Sequence, residues 1–432
     1  MATLLEERAG FAKQRSADVG FGSSERANKK KPKLPILYQH DFSGLIPGDV
    51  ALAVEAALAA SELEHEEIST VVSSRTGDTD EVPFIRHQTD SGIEIPFGSY
   101  RVEDIGDIQM VIDPYKEVPT MRLIGKLHKK DQRSAWKDLL KAIRAQAEKD
   151  SIFKGRAILV EDKTDLLVPK PMILTREIEL AFNQAVEDEL ETVLFWPLLN
   201  REECHKHGIR TRRGVILEGH YGAGKSLLLY KAAQLAHKAG WGVLHITANM
   251  IATAIELSKL LEPVVMVVED IDATTHGDRD RLNFLLNRLS SVSTKTEGDY
   301  ALLLSTNFID RIDPALLRPE RVDAIVKVDL PDESTVRRLF NVFGGNSIAY
   351  ETPTFQAAEK ELAGTTPAII SEVMQRTKID ALRNKTTINE DRLLFHAKRM
   401  EKQRKLAMPE FRSATTGDQL VEALHKTIDG RF

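Results

Sequence analysis

The sequence predicts an α/β fold: a parallel sheet covered by helices on both faces, preceded by a small α+β domain. Two observations carry this. Between residues 175 and 332, apolar runs (VILE at 215, GVLHIT at 242, VVMVV at 264, ALLLST at 301, AIVKVDL at 324) alternate with helical segments. Strands that are apolar throughout, rather than alternating, belong to a parallel sheet buried on both faces. Ahead of them, residues 80 to 165 mix short β-branched runs (IEIPF, IQMVI, TMRLIGKL) with Gly and Pro punctuation, the pattern of a few strands. At 432 residues the chain is long for a single core, so roughly two to four domains are expected.

In chain order, residues 1 to 40 read as a flexible basic arm, with Lys29, Lys30, Lys31 and Lys33 in a polar, Gly/Ser-rich stretch. Residues 41 to 79 read as a helix and linker: DVALAVEAALAASELEHEE, 49 to 67, has apolar residues at helical spacing and is followed by the loop SSRTGDTDEVP. The α+β domain closes with QRSAWKDLLKAIRAQAEK, an amphipathic helix with Trp136, Leu139, Leu140 and Ile143 on one side. Nothing in that domain has the spacing of a catalytic site.

Composition excludes several classes. The 42% hydrophobic and 29% charged fractions are those of an ordinary globular protein. No apolar run approaches the roughly 18 residues of a membrane span, and MATLLEERAGFAKQRS lacks the apolar stretch of a secretory signal. A cytoplasmic location without membrane contact is therefore expected. Cys204 is the single cysteine, which excludes an internal disulfide and fits a reducing compartment. A net charge of -6 gives no global attraction to nucleic acid.

After the first apolar run comes GHYGAGKS, which satisfies G-x-x-x-x-G-K-[ST]. Gly219, Gly222 and Gly224 let the backbone curl so that N–H groups of Gly219, His220, Tyr221, Gly222, Ala223, Gly224, Lys225, Ser226 and Leu227 surround phosphate oxygens, aided by the positive end of the helix that follows. Lys225 is placed to reach the β and γ phosphates and Ser226 to hold magnesium. A chance match in a chain this long is expected on the order of one time in a hundred.

VVMVV ends in Glu269 and Asp270, 45 residues beyond Lys225 and at a carboxyl end of the sheet, where α/β proteins bind ligands. Adjacent strand residues face opposite ways, so the two acids are expected to divide the work. One orients the water shell of the magnesium ion, which gives Glu269 a metal role with Ser226. The other polarises an attacking water. Such strands more often end Asp then Glu; the reversal changes reach and not charge.

The stretch STNFIDRIDPALLRPERVDAIVKVDLPD, 305 to 332, together with GIRTRRGVILEGHYGAGKS, 208 to 226, closely resembles the AAA clade of AAA+ ATPases. The resemblance covers roughly residues 175 to 385. It implies a P-loop AAA+ parallel sheet (175 to 332) and a small C-terminal helical lid (333 to 386, on AGTTPAIISEVMQRTKIDALR); beyond it, residues 387 to 432 read as a C-terminal helical extension. It further implies ATP and Mg2+ as cofactors, and self-assembly into a ring, by family habit a homohexamer. By the same resemblance, Asn307 is the sensor that positions the lytic water. Arg318 and Arg321 are the arginine fingers that reach a neighbour's nucleotide, a suitable task for planar guanidinium groups. EDIDA with LLNRLSSV and the later TNFIDRIDPALLRP is similar to mitochondrial AAA proteins that assemble a respiratory cytochrome complex, where Glu-Asp order also occurs.

The chain departs from the family at Glu320, where Gly is usual. It departs again in TANMIATAIELSKLL, which lacks the aromatic and Gly of a pore loop and offers Met250 and Ile251 as a weaker apolar contact. At Pro367 and Ala368 no second sensor arginine stands. The expected function is ATP hydrolysis that remodels a protein or protein complex, with an unidentified protein substrate or adaptor. Two alternatives stand beside it: a nucleic-acid-associated ATPase, which is not favoured, and a nucleotide-binding assembly scaffold with little hydrolysis. ECHKH, 203 to 207, reads as a solvated loop rather than a zinc site, and the Lys/Arg-rich helix from Ile388 as a solvated face.

Overall fold

The computed structural model describes residues 36 to 407 apart from 62, 73–78, 82–83, 91, 117, 128, 130–131, 150, 272–297, 312–321 and 345–351. Its first layer is a five-stranded sheet. β1 (Ile36–Asp41) leads into α1 (Pro47–Ala60), then β2 (His65–Ile68) and two small hairpins, β3 (Thr70–Val72) with β4 (Thr79–Glu81) and β5 (Ile85–Gln88) with β6 (Glu94–Phe97). β7 (Ser99–Val102), β8 (Gly106–Asp113) and β9 (Thr120–Leu127) follow, and α2 (Gln132–Lys149) closes the unit. The sheet order is β1-β9-β8-β7-β2. Its core joins Val50, Val54 and Leu58 of α1 and Trp136, Leu139 and Ile143 of α2 to Ile108, Met110, Met121 and Leu123 of the sheet. The run predicted as a helix to residue 67 stops at Ala60, and HEEI instead pairs with β7 from His65↔Val102 to Ile68↔Ser99. Edge pairing overrides the helical spacing of those four residues.

The second layer is a seven-stranded sheet in the order β11-β10-β13-β14-β15-β12-β16. Its strands are β10 (Ala157–Val160), β11 (Lys170–Pro171), β12 (Arg213–Glu218), β13 (Gly242–Ile246), β14 (Val264–Val268), β15 (Tyr300–Thr306) and β16 (Ala324–Lys327). The five strands anticipated from the apolar runs form its contiguous parallel block. β10 extends that block in parallel beside β13, and β11 turns back antiparallel on β10.

Alternation is present inside the apolar runs, hidden because both faces are buried. Val264, Met266 and Val268 of β14 enter one core with Leu302, Leu304, Ile251 and Ile255. Val265 and Val267 enter the other with Leu303, Leu228 and Ala232. Helices are laid on both faces, among them α3 (Gln184–Leu190), α4 (Arg201–Lys206), α5 (Lys225–Lys238) and α6 (Ile251–Leu261).

Behind the sheet stands a bundle of α7 (Glu333–Gly344), α8 (Pro353–Leu362), α9 (Pro367–Asn384) and α10 (Glu390–Ala407), around Phe340, Phe355, Leu362, Ile370, Val373 and Leu393. α10 sets one side, with Leu393 and Ala397 fully buried, into the bundle and leaves most of its other described side chains partly or fully exposed. Two further expectations are corrected. ECHKH is largely helical, in α4, with Cys204 buried. Met250 and Ile251 lie 3% and 0% exposed in the core beneath α6. After β13 the chain passes through one 3-10 turn, Ala248–Met250, straight into α6, so neither side chain projects.

The two layers are joined at the start of α1. Ile46 belongs to the core of the large sheet together with Phe153 and Leu166, while Leu167 belongs to the core of the small one. Between them Asp49, 4% exposed, accepts a 2.8 Å bond from the Ile152 N–H. Among the described residues, no helix is long and apolar enough to cross a membrane.

Candidate functional site

The loop from β12 to α5 is shaped by its glycines. Gly222 and Gly224 take φ of +76° and +101°, a region open to glycine and strained for other residues. At Gly219 the constraint is space: a Cβ there would stand 2.7 Å from the Val328 carbonyl oxygen. Ala223 is buried, whereas Tyr221 and Leu227 are 66% and 40% exposed, and the Tyr221 ring meets Phe308 edge-on at 6.1 Å. α5 begins at Lys225, so its first N–H groups open toward the loop.

Two chains of contacts run from this loop to the acids. Lys225, 6% exposed, donates from Nζ to the carbonyls of Gly219 (2.7 Å) and His220 (3.0 Å) and to Asn307 Oδ1 (2.7 Å). Asn307 stands one residue beyond β15 and donates in turn from Nδ2 to Asp270 Oδ1 at 3.2 Å. In the second chain, His245 Nε2 lies 3.3 Å from Glu269 Oε1, and the Ser226 hydroxyl favours the charged form of the same carboxylate. The His245 contact, assisted by Ser226, holds the Glu269 carboxyl below the usual carboxylate range against the upward pull of burial.

The acids do have different partners, though not through strand alternation. β14 ends at Val268, and Asp270 has a left-handed φ of +44°. That turn is pinned to β15, since the Asp270 N–H donates to Ser305 Oγ (3.0 Å) and the Ile271 N–H to the Ser305 carbonyl (3.0 Å). The turn sends Asp270 toward Asn307 and leaves Glu269 facing α5. Arg318 and Arg321, expected as arginine fingers, lie outside the described residues.

The bundle reaches the same loop. The position of a Gly222 Cβ lies 3.3 Å from Thr366 Oγ1 and 3.4 Å from the Ala368 Cβ. Ahead of α3, the Phe182 ring lies 3.5 Å from where a Gly224 Cβ would stand, and the Phe182 carbonyl accepts from Arg338 of α7 at 3.0 Å. Asn183 donates to the Leu330 carbonyl and accepts from the Asp332 N–H and the Thr335 hydroxyl. Sequence reasoning missed Phe182, Asn183 and His245. The first two stand in an irregular run before a short helix and carry no periodic signal. His245 was passed over as part of a strand.

Residues 215–330 match the family described as "ATPase family associated with various cellular activities (AAA)". This stretch is similar to an AAA domain. It contains the acid pair, Asn307 and the phosphate-type loop, and it runs to the last strand of the sheet. Around it the chain is 27% identical to a probable 26S proteasome regulatory subunit 4 of Caenorhabditis elegans, over 50% of this chain and 57% of that protein. It is likewise 27% identical to a proteasome-activating nucleotidase of Methanothermobacter thermautotrophicus, over 55% of this chain and 60% of that one. The chain thus covers less than two thirds of these relatives' length. A solved FIGL-1 AAA domain in complex with ADP aligns over 51% of this chain and 82% of its own at 15% identity, with a TM-score of 0.42.

Proposed function

We propose that the protein hydrolyses ATP through its AAA domain, assembles into a ring and uses the cycle to remodel a protein or protein complex. The observation that carries this reading is the chain Lys225–Asn307–Asp270, which ties the phosphate-type loop to a carboxylate through one amide. In it Lys225 meets the β and γ phosphates, the loop N–H groups from Gly219 to Leu227 hold phosphate oxygens, and Asp270 with Asn307 orients and polarises the attacking water. Glu269 and Ser226 fit magnesium, for both offer oxygen ligands of the kind this hard cation takes and the Ser226 hydroxyl favours the charged form of the Glu269 carboxylate. Bound there, the ion supplies charge neutralisation at the β and γ phosphates. Arg318 and Arg321 reach the neighbouring subunit's nucleotide, which makes hydrolysis depend on assembly.

The homology to proteasome-associated ATPases supports work on protein complexes. The narrower kinship with mitochondrial cytochrome-complex-assembly proteins is carried only by EDIDA and its neighbours in sequence. Burial of Met250 and Ile251 favours a substrate held by the N-terminal domain over one gripped by this loop.

The test is magnesium-dependent ATP turnover against protein concentration for wild type, Asp270→Asn and Arg318→Ala. Turnover that rises with assembly and falls at least a hundredfold in both variants (order of magnitude for lost transition-state groups) is expected. Tight ATP binding with negligible wild-type turnover would replace the motor by a nucleotide-bound scaffold.

A further inference from the structure

In β13, GVLHI, His245 is the one polar side chain of an otherwise apolar strand. The pairing of β13 with β14 places it opposite Val267. Val265 and Val267 face the α5 side of the sheet, and Glu269 stands one residue beyond the end of the strand. His245 thus stands near the end of β13, beside the chain that leaves β14 through Glu269. The two side chains meet, at 3.3 Å, while Ser226 in the first turn of α5 also favours the charged form of the same carboxylate.

The reversed acid order gives this contact its purpose. Where strands of this kind more often end in Asp, Glu269 brings one more methylene and one more torsion. A single anchor at Ser226 leaves that torsion to sample its staggered wells. We infer that His245 is a positioning residue for Glu269, supplying the second anchor that the longer acid needs and so fixing the carboxylate beside Ser226 for magnesium. Outer partners of metal ligands act in this way, orienting the ligand without touching the ion. The inference rests on the nucleotide-site reading above.

The experiment is a double-mutant cycle on the full chain, with magnesium titrated against binding of a non-hydrolysable fluorescent ATP analogue. The proteins are wild type, His245→Phe, Glu269→Asp and the pair combined, with His245→Gln as the conservative variant. His245→Phe should raise the magnesium midpoint about tenfold, the low end for loss of an outer partner, with analogue binding in EDTA unchanged. His245→Gln, which keeps a donor, should recover most of that shift. Glu269→Asp withdraws the carboxylate by about one C–C bond, ~1.5 Å, beyond hydrogen-bond reach of His245. Adding His245→Phe to it should then change nothing further. An unchanged midpoint in His245→Phe, an equal shift in both backgrounds, or weakened binding in EDTA would each overturn the inference. Wild type that binds no nucleotide would overturn the site reading itself, a separate and recognisable outcome.

Discussion

Asp49 should make the protein less stable as pH rises. Burial pushes its carboxyl up to about 6 from the ordinary 3.8, although the Ser151 hydroxyl and the Ile152 N–H both favour the charged form. Below pH 3.8 the side chain is protonated in the folded and the unfolded chain alike and contributes no penalty. Between about 4 and 6 the folded state holds a proton that the unfolded state has released, so stability falls as pH rises. Above about 6 both states are charged and the full cost persists. A gap of about two pKa units, at about 1.4 kcal/mol each, makes that cost about 3 kcal/mol.

Asp49→Asn keeps the shape and an acceptor for the Ile152 N–H while removing the charge. Thermal melts of wild type and variant from pH 4 to 8 are expected to coincide near pH 4 and to diverge through pH 6. At pH 8 the variant should melt several degrees higher, since for large domains each kcal/mol shifts the melting temperature by about 2–4 °C. A difference that does not change with pH, or a wild type more stable than the variant at pH 8, would refute the reasoning.

Gly219→Ala should drive a methyl group into the Val328 carbonyl at 2.7 Å and cost about 1–3 kcal/mol, read as a lower melting temperature. Arg337→Ala should loosen the helical bundle. Glu359 is 2% exposed and is held by Arg337 Nε at 2.6 Å and Nη2 at 2.9 Å. Arg337 is about half exposed, so the expected loss is about 2 kcal/mol, below the range for a fully buried pair. Limited proteolysis of α7 and α8 would report it.

The strands that sequence reasoning found are those with a long enough signature. VVMVV and ALLLST are apolar through both faces, and only a buried parallel strand demands that. β10 and β11 escaped because AILV is four residues and Lys170–Pro171 two; their place comes from neighbours and not from their own pattern. Cys204 was misread for a related reason. A short helix in a charged run buries one small side chain and leaves no period to detect. Around the site, GHYGAGKS was legible because local backbone geometry requires its glycines, and Asn307 because the stretch around it resembles a family motif. The His245 contact was not, since it depends on the register of two strands whose pairing no local pattern announces. The left-handed turn at Asp270 was equally hidden, because nothing in MVVEDID distinguishes a strand that continues from one that stops at Val268.

β10 gives the N-terminal domain a particular kind of attachment. The chain leaves α2, forms β10 within a few residues and hydrogen-bonds along β13 from Ala157↔Val243 to Val160↔Ile246, and the Thr247 hydroxyl then donates to the Glu161 carbonyl. A flexible tether would let force dissipate as slack. A strand stitched into the sheet transmits it as shear, and the strand that receives it carries His245. Cutting the chain just ahead of α3 would also unzip this seam and leave the β13 edge bare, an open template for another strand. The front of the molecule is thus a structural part of the sheet that carries the phosphate-type loop.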